Sequence, residues 1–138
     1  MSGLLLLILV TAVVTAGFAV RRNERRRRDA AAATVALHAD HERVARTLAD
    51  GRHEEVRWSE VVEVEVLTTA HGPHRDDGVV LVIAGPGERG CLVPSRLAVD
   101  HGVIELLHGL PGFDARRLVT AMEAPPPART TCWTRDGQ

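Results

Sequence analysis

The sequence is poor in aromatic residues and contains neither lysine nor tyrosine. Aromatic residues make up 3% of the 138 residues: Phe18, Trp58, Phe113 and Trp133. A platform that stacks nucleic-acid bases needs several aromatic side chains on one surface, so this composition argues against such a role. Only two cysteines are present, too few for a disulfide-rich scaffold or a four-cysteine zinc site.

The rest of the composition is typical of a folded protein. Hydrophobic residues account for 45% and charged residues for 25% of the chain, which argues against wholesale disorder. A length of 138 residues allows one compact domain and an appendage.

The basic residues, all of them arginine, are distributed very unevenly. Six of the 17 lie in one short run: Arg21, Arg22, Arg25, Arg26, Arg27 and Arg28. Residues 1–28 carry a formal charge of +5, whereas residues 29–138 carry −6, with 11 arginines against 17 acidic residues. An acidic main portion disfavours a nucleic-acid partner.

A long apolar run precedes these arginines. Residues 3–20 contain no charged residue, and 18 helical residues span about 27 Å, close to the hydrocarbon thickness of a bilayer. We therefore predict a transmembrane anchor and basic juxtamembrane segment over residues 1–28, and a separate domain over 29–138. Only Met-Ser-Gly precedes the apolar side chains that begin at Leu4, which favours a retained anchor, although the small residues 15–17 leave signal-peptide cleavage open.

The arginine run also predicts the orientation of the chain. Positive residues beside a span stay on the cytoplasmic side. We expect an inner (plasma) membrane protein with its N-terminus outside and its domain in the cytoplasm. Residues 3–20 would contact the membrane, and Arg21–Arg28 would attract anionic lipid headgroups.

The soluble part begins with a pattern typical of strands. Residues 34–49 fit either a strand or a helix. Asp50-Gly51 suits a tight hairpin turn between Arg43–Leu48 and Glu54–Trp58, which favours two strands there. Residues 60–68 alternate valine with glutamate, the period of a strand with one wet face. The apolar run 79–83 predicts a central strand, and residues 90–93 predict a short partner for it.

The C-terminal part changes to helical spacing. Residues 103–110 predict an amphipathic helix with Asp100 as its N-cap. A second helix should begin at Asp114, with Phe113 and Leu118 in hydrophobic-staple positions. Residues 125–127 are proline and end this helix, and a short extended piece follows. The predicted fold class is α+β: a small antiparallel sheet of about five or six strands with two C-terminal helices.

One loop has metal-ligand character. It holds His71, His74, Asp76 and Asp77, and imidazole and carboxylate groups together bind zinc and similar ions. A membrane-tethered metal-dependent enzyme is therefore one alternative, but the intervening Gly72-Pro73 favours a solvated turn. We predict no metal ligand, cofactor or catalytic residue.

The two cysteines, Cys91 and Cys132, raise a further alternative. In a reducing cytoplasm we expect each to be a small buried side chain. If the domain instead faced outward or were secreted, the two could form a disulfide.

Several short pieces of the sequence together resemble a known group of proteins. They are Trp58-Ser-Glu-Val61, Thr68-Thr-x-x-Gly-Pro73, Asp77, Val93-Pro94, Leu110-Pro-Gly-Phe-Asp114, Ala121-Met122 and Cys132-Trp133-x-Arg135. The chain resembles small single-pass membrane proteins of unknown function from high-GC Gram-positive bacteria, over roughly residues 34–135. The lysine-free composition fits a GC-rich genome.

This resemblance implies a compact cytoplasmic domain similar to pleckstrin-homology-like folds, with no known activity, cofactor or catalytic residue. It implies structural roles for the motif residues Trp58, Gly72, Pro73, Asp77, Phe113, Asp114 and Trp133. The family pattern usually has a residue other than histidine where His74 stands, which weakens the metal alternative. We expect a domain that is not an enzyme and that binds a protein partner or a lipid headgroup at the membrane.

Overall fold

Two antiparallel sheets form the frame of the domain in a computed structural model, which describes residues 33–70 and 78–136. The first sheet has the strand order β1-β2-β3 and the second has the order β6-β5-β4-β7. The strands are β1 (Thr34–Ala39), β2 (Arg43–Leu48), β3 (His53–Arg57), β4 (Glu63–Thr68), β5 (Val79–Ala84), β6 (Gly90–Pro94) and β7 (Ala128–Thr134). The helices are α1 (Ser95–Asp100), α2 (Val103–Leu107) and α3 (Ala115–Met122), and a 3-10 turn spans Trp58–Glu60.

The α+β prediction is confirmed in its coarse form, with two corrections. The strands form two sheets of three and four strands where a single sheet was expected. Among the described residues there are seven strands and three helices, where about five or six strands and two helices were expected. The extended piece predicted after the last helix is β7, which pairs with β4. The apolar strand β5 is central as expected, buried along its whole length between β4 and β6.

The predicted hairpin between residues 43 and 58 is present as the pair β2–β3. Its turn differs from the expected form, because Gly51 alone has a positive φ, of 87°. The Asp50 carboxylate instead accepts a hydrogen bond from the backbone N–H of Arg52 at 3.0 Å. Residues 34–39 and 43–48 are strands, which resolves the ambiguity of that stretch.

The predicted wet face of β4 is wrong at one position. Glu65 is 1% exposed, because Arg129 on β7 covers it and donates two hydrogen bonds to its carboxylate, at 2.6 and 2.8 Å. Alternation of valine and glutamate therefore predicted the strand correctly. It did not predict that the neighbouring strand β7 buries Glu65.

The predicted N-cap at Asp100 is also wrong. Helix α1 begins directly after β6, so Asp100 is the last residue of a helix and does not precede one. Helix α2 instead starts from Gly102, whose φ of 71° reverses the chain between the two short helices. The predicted start of α3 is observed, with the Asp114 carboxylate accepting a hydrogen bond from the Arg116 backbone N–H at 2.9 Å.

One apolar core joins both sheets and the helices. It includes Val44 and Val56 from the first sheet, Leu81 from the second, and Leu107 and Leu118 from the helices. This shared core fixes the 3-10 turn after β3 and the segment after α2 against the same side of the domain.

The predicted anchor at residues 3–20 and the arginines at 21–28 lie outside the described residues. Within residues 33–70 and 78–136, no helix is both long enough and apolar enough to cross a membrane.

Candidate functional site

Three of the motif segments meet at one cleft of about 390 Å³. Trp58 reaches it from the 3-10 turn after β3, Leu110 and Pro111 reach it from the segment after α2, and Arg135 reaches it from the end of β7. These residues are far apart in the sequence, so the cleft exists only because the shared core brings the segments together.

Arg135 ties two of these segments together. Its Nε donates a hydrogen bond to the Val61 carbonyl oxygen at 2.8 Å, and its Nη2 donates to the Trp58 carbonyl oxygen at 3.2 Å. The guanidinium carbon also lies 5.3 Å from the centre of the Trp133 ring, within the range of a cation–π contact. The end of β7 is thereby fixed to the turn that follows β3.

The two indole N–H groups fix further walls of the cleft. Trp133 Nε1 donates to the Pro111 carbonyl oxygen at 2.7 Å, and Trp58 Nε1 donates to the Asp40 carbonyl oxygen at 2.7 Å. Trp133 lies in the core, whereas Trp58 is partly buried and packs against it. Each tryptophan therefore combines apolar packing with a hydrogen bond to a loop carbonyl, the usual arrangement for a buried indole.

The polar side chains around the cleft are His41, Ser59, Glu105 and Arg135. His41 is exposed and its Nε2 lies 3.8 Å from Glu42 Oε1, not against a residue of the cleft. Nucleophilic catalysis by a serine requires a base within hydrogen-bonding distance. Of the described residues, none forms a hydrogen bond with the Ser59 hydroxyl.

A buried ion pair lies between the two sheets. Arg46 donates to both Glu54 oxygens, at 2.6 and 3.2 Å, and the Arg46 side chain is 0% exposed. Glu54 Oε1 also accepts a hydrogen bond from the Leu92 backbone N–H on β6 at 3.0 Å. This pair therefore links the first sheet to an outer strand of the second, as a structural contact and not as a group facing the cleft.

The two cysteines are free and buried on the two outer strands of the second sheet. Two strands separate β6 from β7, which places the thiols roughly 14 Å apart at the usual strand spacing. A disulfide needs Cα atoms within about 7 Å. The disulfide alternative is therefore wrong for this fold.

Burial also makes both thiols unreactive. Desolvation raises the pKa of Cys132 to about 11 and raises the pKa of Cys91 still further. Because the thiolate is the reacting form, neither cysteine is a candidate nucleophile.

The loop of the metal-binding alternative lies outside the described residues. His71, His74, Asp76 and Asp77 lie outside the described residues, as do the motif residues Gly72 and Pro73. Among the residues that are described, no group of three or more histidine, cysteine, aspartate or glutamate side chains could hold a metal ion.

Two features of the site were not predicted from the sequence. In the sequence Arg135 stands out only as part of a motif, because its contacts with Val61 and Trp58 join residues more than 70 positions apart. The burial of Arg46 was not predicted either, although the local signal exists: Arg46 and Glu54 face each other across the β2–β3 hairpin.

No protein-family model, curated protein sequence or solved structure matches this chain. The likeness to high-GC Gram-positive membrane proteins therefore remains a prediction from the motifs.

Proposed function

We propose that this chain is a single-pass membrane protein whose domain holds a protein partner beside the cytoplasmic face of the plasma membrane. The anchor is residues 3–20, the arginines at 21–28 set its orientation, and the partner binds at the Trp58–Arg135 cleft. The similarity to pleckstrin-homology-like folds and the family resemblance belong to the same proposal.

The cleft is the observation that carries this proposal. Its volume lies within the range of sites that take a ligand group or a few side chains. Tryptophan and arginine are the residue types that dominate binding energy at protein interfaces, and Trp58 and Arg135 lie at the cleft with Leu106 and Pro111.

Electrostatics favours a protein partner over a lipid headgroup for the domain. Residues 29–138 carry a formal charge of −6, so an anionic membrane surface repels the domain as a whole. The basic run at 21–28 is the part suited to anionic lipid. In this proposal the arginines at 21–28 contact the membrane, and the domain binds the partner protein.

Site-specific photo-crosslinking in the full-length protein tests the partner site. A benzoylphenylalanine at Ser59, an exposed residue that lines the cleft, should give a discrete adduct in intact cells. The same group at Val119, exposed on α3 and away from the cleft, is the matched control. Leu106→Asp should remove the Ser59 adduct, because it places a charge in the apolar part of the cleft. Equal adducts from Ser59 and Val119, or none from Ser59, would contradict the proposal.

A topology assay tests the membrane part separately. A fluorescent reporter fused after Gln138 should be active and a phosphatase reporter silent, because six arginines oppose translocation. Replacing those arginines with neutral residues and adding lysines after Met1 should turn the phosphatase on in a share of the molecules. An active phosphatase in the unmodified protein would overturn the orientation.

A further inference from the structure

We infer that the cleft recognises an acidic side chain flanked by apolar residues on the partner protein, with Arg135 as the cation that binds the carboxylate. This inference rests on the proposed function in assigning the cleft to a protein partner. It adds the chemical class of the bound segment, which the proposed function leaves open.

Two backbone carbonyl oxygens fix the Arg135 guanidinium and leave its Nη1 available for a ligand. Its Nε and Nη2 are occupied by the carbonyl oxygens of Val61 and Trp58, and the Trp133 ring packs against the group. Its Nη1 donates no hydrogen bond to any described residue. A guanidinium that is already fixed loses little conformational entropy on binding a carboxylate, which favours recognition.

No carboxylate of the described residues forms an ion pair with Arg135. Five other arginines lie 2.6 to 3.6 Å from a carboxylate oxygen: Arg43, Arg46, Arg52, Arg89 and Arg129. Arg135 has only neutral carbonyl partners within the described part of the chain. Carbonyl dipoles orient a guanidinium without cancelling its charge, so this partly buried cation still favours an anionic ligand.

The other ionisable groups of the cleft leave this position to a ligand. Glu105 lines the same cleft but forms no ion pair with Arg135 within the described structure. Its Oε2 lies 3.7 Å from where a Cβ on Gly102 would be, so it is turned toward the start of its own helix. His41 lies beside Glu42. Arg135 is the one arginine among the described residues that line the cleft.

The apolar side of the cleft indicates which residues flank the bound carboxylate on the partner. Trp58, Leu106, Leu110 and Pro111 supply apolar surface next to Arg135. An isolated carboxylate would leave this surface in water, whereas a segment with apolar residues on both sides of an acidic one covers both parts. The occupant is therefore a peptide segment and not a free small anion.

The two tryptophans provide direct reporters for the test. The full-length protein in nanodiscs, labelled with ¹⁵N-tryptophan, has two indole signals, one from Trp58 at the cleft and one from Trp133 beneath Arg135. The probes are three capped tripeptides, acetyl-Leu-Glu-Leu-amide, acetyl-Leu-Gln-Leu-amide and acetyl-Leu-Lys-Leu-amide. The glutamate peptide should shift the indole signals and bind at least about tenfold more tightly than the glutamine peptide. The lysine peptide should cause no shift.

Variants and a small anion complete the test. Arg135→Gln should abolish the preference for the glutamate peptide, whereas Arg116→Gln, at an exposed arginine of α3, should preserve it. If Arg135→Gln does not fold, the three peptides on the unmodified protein still decide the question. Equal binding of all three peptides would overturn the inference. Binding of acetate as tight as that of the glutamate peptide would also overturn it, because the apolar flanks would then contribute nothing.

The two proposals can fail separately. A Ser59 adduct in cells together with equal binding of the three peptides would retain the partner site and remove the acidic preference. Selective binding of the glutamate peptide without any Ser59 adduct would retain the recognition chemistry and remove the protein partner as its occupant in cells.

Discussion

The two sheets each contain a bidentate arginine–glutamate pair, but the pairs are buried in opposite senses. In the first sheet the arginine is enclosed, with the Arg46 side chain 0% and the Glu54 side chain 16% exposed. In the second sheet the carboxylate is enclosed, with the Glu65 side chain 1% and the Arg129 side chain 44% exposed. The shortest nitrogen–oxygen distance is 2.6 Å in both pairs.

Two ion pairs with the same bidentate geometry therefore contribute differently to the stability of the domain. Glu54 has a second task, because it also accepts the Leu92 N–H and so connects β3 to β6. Arg129 lies on a strand that β4 already holds by its own ladder. Removing Glu54 takes the carboxylate away from an enclosed guanidinium, whereas removing Arg129 opens a position that water can already reach.

The largest expected effect is that of Glu54→Gln. Glutamine cannot neutralise the enclosed guanidinium of Arg46, so the free energy of unfolding should fall by about 3–5 kcal/mol. Urea unfolding measures this loss. The control is Glu55→Gln on the same strand. Glu55 Oε1 lies 3.1 Å from Nη1 of Arg43, and both side chains are partly exposed, so this variant should change the free energy of unfolding much less. Equal losses in the two variants would contradict the role given to Glu54.

A smaller loss is expected for Arg129→Gln. It removes two hydrogen bonds to a charged group, at a cost of about 1.5–3 kcal/mol, and water can partly replace the half-exposed arginine. Unfolding under the same conditions should therefore place this variant between the unmodified protein and Glu54→Gln. Adding Glu65→Gln should recover part of the loss, because it removes the charge of a buried carboxylate that has lost the Arg129 guanidinium. If Arg129→Gln lowers the free energy of unfolding more than Glu54→Gln does, burial of the arginine does not explain the difference between the two pairs.

The comparison extends to two aspartates that satisfy backbone N–H groups outside the sheets. Asp114→Ala should cost about 1 kcal/mol, because the first turn of α3 loses the acceptor for the Arg116 N–H. Thermal unfolding measures this change. Thr120→Ala on the exposed face of the same helix should cost nothing, since alanine favours the helix. If Asp114→Ala loses no more stability than Thr120→Ala, the Asp114 cap does not stabilise the domain.

The smallest effect concerns Asp40, in the turn between β1 and β2. Three hydrogen bonds hold the pKa of this carboxyl well below its usual range. The one with His38 has the largest effect, and those from the Glu42 and Arg43 backbone N–H groups add to it. The pKa is lower in the folded state than in the unfolded state. The contribution to stability is therefore present above about pH 4 and is lost as the pH falls toward the folded-state pKa.

Asp40→Asn should accordingly show a shallower loss of stability between pH 5 and pH 2 than the unmodified protein. Unfolding midpoints across that range measure the slope. Asp100→Asn, at an exposed residue without an ion pair among the described residues, is the control and should keep the original slope. An unchanged slope in Asp40→Asn would contradict the assignment.

Several elements of the fold could be predicted because their signals are local. The valine-rich runs of β4 and β5, the turn residues after β2 and the aspartate before α3 each depend on neighbours within a few positions. The prediction failed at Asp100 and Glu65 for a common reason. Asp100 looks like a helix start until β6 runs directly into α1, and Glu65 looks solvated until Arg129 covers it from 64 positions away.

Periodicity and turn chemistry by themselves thus determined where most strands begin and end, and the asymmetric charges set the expectation of a basic membrane-proximal segment before an acidic domain. The pairing of the strands, their division into two sheets and the enclosure of particular charges depend instead on tertiary contacts. These contacts also bring Trp58, Pro111 and Arg135 to one cleft. The physical reason is that side-chain periodicity reports the environment of a segment, whereas strand pairing and core packing join residues whose separation along the chain leaves no mark in the local pattern.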